Sequence, residues 1–97
     1  IGIPKEDLKA IEWFYDLAES KHIIAQYRLA EIYYLGTKTK QDYTQAYAWA
    51  GIVAARGFKP AQEIRDNIEI QLDEKELEKA RKLAREYWNK YGKQKEE

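Results

Sequence analysis

The chain has 97 residues, with 17 Lys plus Arg balancing 17 Asp plus Glu, so its formal net charge is zero. That balance supplies no long-range field to draw in nucleic acid or an anionic membrane, and the length allows one compact unit. The absence of Cys removes disulfide and thiolate chemistry, and there is no run of about 18 apolar residues to span a bilayer.

Pro4 followed by Glu6 and Asp7 predicts a helix start, where carboxylates meet the positive end of the helix dipole. Leu8, Ile11, Phe14, Tyr15, Leu17 and Ala18 recur at three- and four-residue steps and give this helix one apolar stripe. The stripe fades at Ser20, Lys21 and His22. A second helix carries Ala25, Leu29, Ile32 and Tyr33 on one face and closes at Gly36, a left-handed C-cap. After a polar loop from Thr37 to Gln41, Asp42 reads as the N-cap of a third helix. Ala46, Trp49, Ala50, Val53 and Ala54 form its stripe and Gly57 its end. Pro60 suits the first turn of a fourth helix, continued by Ala61, Ile64, Ile68 and Leu72. Asp73 with Glu76 is a capping-box pattern for a fifth. Its buried side is Leu77, Ala80, Leu83, Ala84, Tyr87, Trp88 and Tyr91, and Gly92 stops it. Residues 93–97 form a charged tail. No segment alternates with period two over strand length, so the expected class is all-α.

The chain also repeats itself. Glu6 to Trp13 lies over Asp42 to Trp49, and Ala18, Ala25, Gln26 and Ile32 lie over Ala54, Ala61, Gln62 and Ile68, an offset of 36 residues. A fixed period of this size is the mark of stacked repeats, each too small to bury its own apolar face. Ala18, Ala25, Ala46, Ala54 and Ala61 supply small positions where helices approach closely, and Trp13 and Trp49 are expected to fill the complementary large ones. Gly2, Ile3 and Pro4 fall one period before the loop Lys38 to Lys40, so the chain is expected to open in the closing loop of a preceding repeat and to be part of a longer array.

Ala25-Gln26-Tyr27-Arg28-Leu29-Ala30-Glu31-Ile32-Tyr33-Tyr34-Leu35-Gly36 resembles the first helix of the Sel-one-like repeat (SLR). Asp42 to Trp49, followed by Ala54-Ala55-Arg56-Gly57, resembles its second helix. Asp66 to Trp88 is similar to the long helix that often ends bacterial arrays of this kind. Ala30 stands where the family prefers Gly, and Lys21 where a Gly usually ends the second helix. A tetratricopeptide repeat, with its shorter period, fits less well. The resemblance implies a right-handed α-α superhelix of two helix-turn-helix repeats, about 6–36 and 42–72, with a capping helix at about 73–91, so that residues 1–92 form the solenoid. It implies an adaptor that holds a protein or peptide partner, and a bacterial periplasmic or secreted setting over a cytoplasmic one. Some disulfide-rich members are linked to β-lactam chemistry, which a chain without Cys does not carry over. A related hydrolase, or an inert cap of a longer array, are the alternatives to an interaction module.

In such a stack the first helix of each pair lines the inner face. With Ala25, Leu29, Ile32 and Tyr33 inward, Tyr27, Arg28, Glu31 and Tyr34 point toward a groove, and Glu63, Ile64, Asn67 and Ile70 hold the equivalent places. Tyr and Arg offer large area with a polar end, as binding hot spots do. The competing reading leans the tyrosines on neighbouring helices and pairs Arg28 with Glu31. Gln26 and Gln62 are expected to bond an adjoining helix terminus. Ser20 and His22 lack a third group to orient the imidazole for nucleophilic chemistry. One His and scattered carboxylates give no metal site, and no cofactor is implied. Ile1, Ile3, Ile11 and Tyr15 form an expected open apolar end, suited to self-association or a partner.

Overall fold

Five helices form among the described residues, and local chemistry sets the ends of several of them. A computed structural model describes residues 5–19 and 22–92. Helix α1 spans Lys5–Glu19, α2 Ile23–Leu35, α3 Tyr43–Ala54, α4 Lys59–Gln71 and α5 Glu74–Tyr87, and a π-helical turn, Trp88–Gly92, extends α5. There is no strand among the described residues. Asp42 caps α3 by accepting the amide of Gln45 at 3.1 Å. Asp73 and Glu76 close both arms of a capping box on α5, at 2.7 Å and 3.3 Å. Gly36 ends α2 at φ 68°, a left-handed conformation that costs glycine nothing, and its amide returns to the Ile32 carbonyl at 2.9 Å. Pro60 lies in the first turn of α4. The third helix stops at Ala54, three residues before the expected Gly57, which takes φ 92° in the turn that follows.

The helices stack into a slab of 39 × 37 × 21 Å with α3 at its centre. Helices α2, α4 and α5 all pack against α3, while α1 rests mainly on α2. Every residue from Ala46 to Ala50 is buried, so α3 is apolar all round rather than striped, as a helix enclosed on every side must be. The expected small positions Ala18, Ala25, Ala46, Ala54 and Ala61 are all buried and let the helix backbones approach closely.

Trp49 is fully buried and is the largest side chain in the core. Tyr15 meets it edge-on from α1 at 5.7 Å, and Tyr87 and Tyr91 close over it at 4.8 Å and 5.0 Å. Offset and edge contacts of this kind suit the quadrupoles of aromatic rings. Trp13 departs from expectation: it is 61% exposed and touches Phe14 instead of filling a core site. Equal positions in the repeat do not have equal neighbours. Trp49 lies between α1 and the C-terminal segment, and no described element stands in the corresponding place over α1.

A buried polar clasp joins the ends of the stack. Gln26, fully buried, donates from Nε2 to the Ala18 carbonyl at the end of α1 and to the Tyr91 carbonyl in the π turn, each at 3.0 Å. Gln62 repeats the first of these bonds one period later, donating to the Ala54 carbonyl at 3.4 Å. The expectation that both glutamines serve helix termini therefore holds. Gly92 packs so tightly that an added Cβ would come within 2.5 Å of the Trp88 ring and 3.2 Å of Ile52.

The contrast between the two tryptophans is measurable. Trp49→Ala should destabilise the fold by about 3–5 kcal/mol, whereas Trp13→Ala should change stability by less than ~0.5 kcal/mol. Urea denaturation followed by circular dichroism distinguishes them, and equal losses would contradict this packing.

Candidate interaction surface

Helices α2 and α4 present one shared face. Tyr27, Arg28, Glu31 and Tyr34 recur along α2 at steps of one, three and three residues, which holds them on one side of the helix. On α4, Glu63, Asn67 and Ile70 occupy the equivalent places and are exposed. Ile64, the counterpart of Arg28, departs from the groove reading: it is buried in the core with Ala61 and Ile68. A one-residue difference in phase along α4 separates it from Glu63.

At one end of this face the polar groups answer one another. Arg28 pairs with Glu31 at 2.6 Å on the surface, and Tyr27 sets its ring edge-on to Phe58 at 4.9 Å. Burial pushes the Tyr27 phenol above its ordinary value, and the negative charge and hydrogen bonding of Glu31 push it further, with Glu63 adding to the effect. Tyr27, Arg28, Glu31 and Glu63 thus lie together. Arg28 and Tyr27 are already engaged within the chain, so they form a preformed polar surface rather than loose side chains.

The other end is apolar. Tyr34 stacks on Tyr43 at 5.7 Å, the Tyr43 hydroxyl donates to Gln71 at 3.2 Å, and Gln41 donates to the Tyr34 carbonyl at 2.8 Å. Leu35 is 59% exposed and Ile70 82%. Tyr43, Gln71, Gln41 and Leu35 were not legible as site residues. Tyr43 begins a different helix, and only the loop that folds back through the Asp42 amide to the Tyr33 carbonyl, at 2.9 Å, brings it beside Tyr34.

The expected open end on α1 is composed differently. Ile11 packs on the core cluster, and Tyr15 also turns inward, bonding the Tyr33 hydroxyl at 2.8 Å. The exposed apolar side chains of α1 are Leu8 and Trp13. Ile1 and Ile3 lie outside the described residues, as does Ser20. His22 is the N-cap of α2, its Nδ1 accepting the Ala25 amide at 3.4 Å, which is a structural duty. No three carboxylate or imidazole groups among the described residues converge where a metal ion could sit. No helix among them is long and apolar enough to cross a membrane.

Helices that pack in succession, with the same small and polar positions recurring every 36 residues, define an all-α solenoid. A solved structure sharpens this. The c5321 protein, a protective antigen present in uropathogenic Escherichia coli strains and displaying an SLR fold, superposes with a TM-score of 0.78 and 34% identity over 84% of this chain. This chain is built of Sel-one-like repeats. It spans 18% of the length of that protein. No family model matches the sequence, and no curated protein matches it.

The tyrosines of the interior tie stability to alkaline pH. Burial holds the Tyr33 phenol well above its ordinary value, with the bond to Tyr15 adding to it, and burial pushes Tyr87 up to about 12. The native state therefore keeps protons that the unfolded chain has lost once pH passes ~10. Stability should be level below that point and fall between pH ~10 and ~12. A melting temperature that stays flat through this window would rule out the buried, protonated phenols, and Tyr87→Phe should blunt the fall.

Proposed function

We propose that this chain is a non-enzymatic interaction module that offers the α2/α4 face to a protein or peptide. The observation that carries the reading is the apolar row at one end of that face. Ile70 and Leu35 stand exposed and the stacked Tyr34–Tyr43 pair is half-buried, on helices whose opposite sides are locked in the core. Side chains held by a rigid frame lose little freedom on binding, which is where affinity is most often lost. Aromatic anchors beside a charged rim, here Arg28, Glu31 and Glu63, match the anatomy of protein interfaces. An SLR fold supports a helical scaffold of this kind, and the c5321 relative is itself a protective antigen. The employment of His22 as a helix cap argues against a hydrolase.

Peptides selected for binding to the intact chain test the site. Tyr34→Ala combined with Ile70→Ala should weaken the selected peptides by about tenfold or more, the scale of a lost hot spot, with the helical circular dichroism unchanged. Undiminished binding would place recognition elsewhere.

Self-association is a second reading, favoured by the exposure of Trp13 and Leu8 on α1. Sedimentation at rising concentration should show a dimer that Trp13→Ser abolishes. A monomer at every concentration would remove this reading.

A further inference from the structure

A groove lies away from the α2/α4 face, between α4 and α5 with α3 as its floor. It has a volume of about 460 Å³, within the ~300–1,000 Å³ range of ligand sites. Tyr47, Gly51 and Ala55 recur at four-residue steps and form the floor. One wall is Arg65 of α4. The other is Arg81, Ala84, Arg85 and Trp88, one side of α5 and its π turn.

The chemistry of this groove is two-fold. Its base is apolar: Gly51 has no side chain, Ala84 and Ala55 have one carbon each, and Trp88 adds a half-buried indole. A Cβ added at Gly51 would meet only the Ala84 Cβ, at an ordinary 3.6 Å. Packing therefore does not demand a glycine there, although glycine weakens a helix interior; its effect is to deepen the groove.

Its rim is cationic. In a chain of zero net charge, three guanidinium groups surround this one depression. Two carboxylates stand nearby. Asp66 touches Arg65 at 3.3 Å on the surface, and Glu69 accepts the Tyr47 hydroxyl at 2.9 Å while Arg81 engages the same hydroxyl. Among the described residues no ion pair is made by Arg85. The rim thus keeps a surplus of positive charge, and Arg85, exposed on α5, has its fork available.

We propose that this groove binds an acidic peptide segment, with an apolar side chain between the Gly51 floor and the Trp88 ring and flanking carboxylates held by Arg85 and Arg65. Guanidinium forks match carboxylates in geometry as well as charge. The floor from Tyr47 to the C-cap Ala55 rises by eight residue steps along α3, or ~12 Å. An extended peptide spans that distance with about four residues. A peptide of that length presents a carboxylate on either side of an apolar centre.

The test is a titration of the isotope-labelled intact chain with acetylated, amidated Asp-Leu-Phe-Glu, followed by amide chemical shifts, beside the charge-reversed Lys-Leu-Phe-Lys. The acidic peptide should move the amides of Gly51, Ala55, Ala84 and Asn89. Arg85→Glu should weaken it by about tenfold or more, as loss and reversal of a charge-assisted contact would. Ala55→Glu, at an exposed floor position, should also abolish it. Lys79→Glu makes the same charge change two residues from Arg81, on the far side of α5, and should alter affinity by less than about twofold. Equal binding of the basic peptide would overturn the proposal. So would equal effects of Arg85→Glu and Lys79→Glu, shifts confined to α2 and α4, or no shifts up to ~1 mM peptide. Shifts confined to α2 and α4 would leave the α2/α4 reading standing while removing this one.

Discussion

The arrangement depends on a single buried amide. Gln26 joins the end of α1 and its own helix α2 to the π turn after α5, 65 residues further along the chain. A polar side chain sealed in an apolar interior is costly unless its partners are fixed, so the loss of either partner weakens the fold. Removing the amide would leave two buried carbonyls without a donor. The clasp also fixes the direction in which the C-terminal segment returns. That return brings Tyr91 over Trp49 and completes the aromatic cage.

Around this clasp the periodicity of the sequence translates into structure unevenly. The caps at Asp42, Gly36 and Asp73, the alanine contacts, and the matched Gln26 and Gln62 bonds were all readable, because each depends on residues within one or two turns or on one adjoining helix. Trp13 was misread for the opposite reason. Its place in the repeat equals that of Trp49, but burial is a property of what surrounds a residue, and the elements around α1 differ from those around α3. The π turn had no local signal either. It widens the helix so that Tyr91 and Gly92 both reach the interior while Trp88 borders the groove.

The candidate surfaces divide along the same line. Helical phase was enough to place Tyr27, Arg28, Glu31 and Tyr34 on one side of α2. It could not show that Arg28 and Glu31 are paired, or that Tyr43 stacks on Tyr34 across a loop. The groove over α3 was invisible in sequence, since its arginines come from α4 and α5 and its floor from α3. The arginines of α5 stand among lysines and glutamates along the chain, and only the fold brings Arg65 to the same groove. The two surfaces differ in kind: one is an aromatic and aliphatic row edged by mixed charges, the other a cationic slot.

Uneven attachment also sets the order in which the fold comes apart. Helix α1 leans chiefly on α2, whereas α3 is held by α2, α4 and α5 together. Cooperative units with the fewest buried contacts open first in the native state, and here that unit is α1. Its departure takes away the Ala18 carbonyl from Gln26 and uncovers the Tyr15 side of Trp49, yet leaves the remaining four helices in register. Amide hydrogens in α1 should therefore exchange through a partial opening, while those of α3 should wait for the whole molecule to unfold.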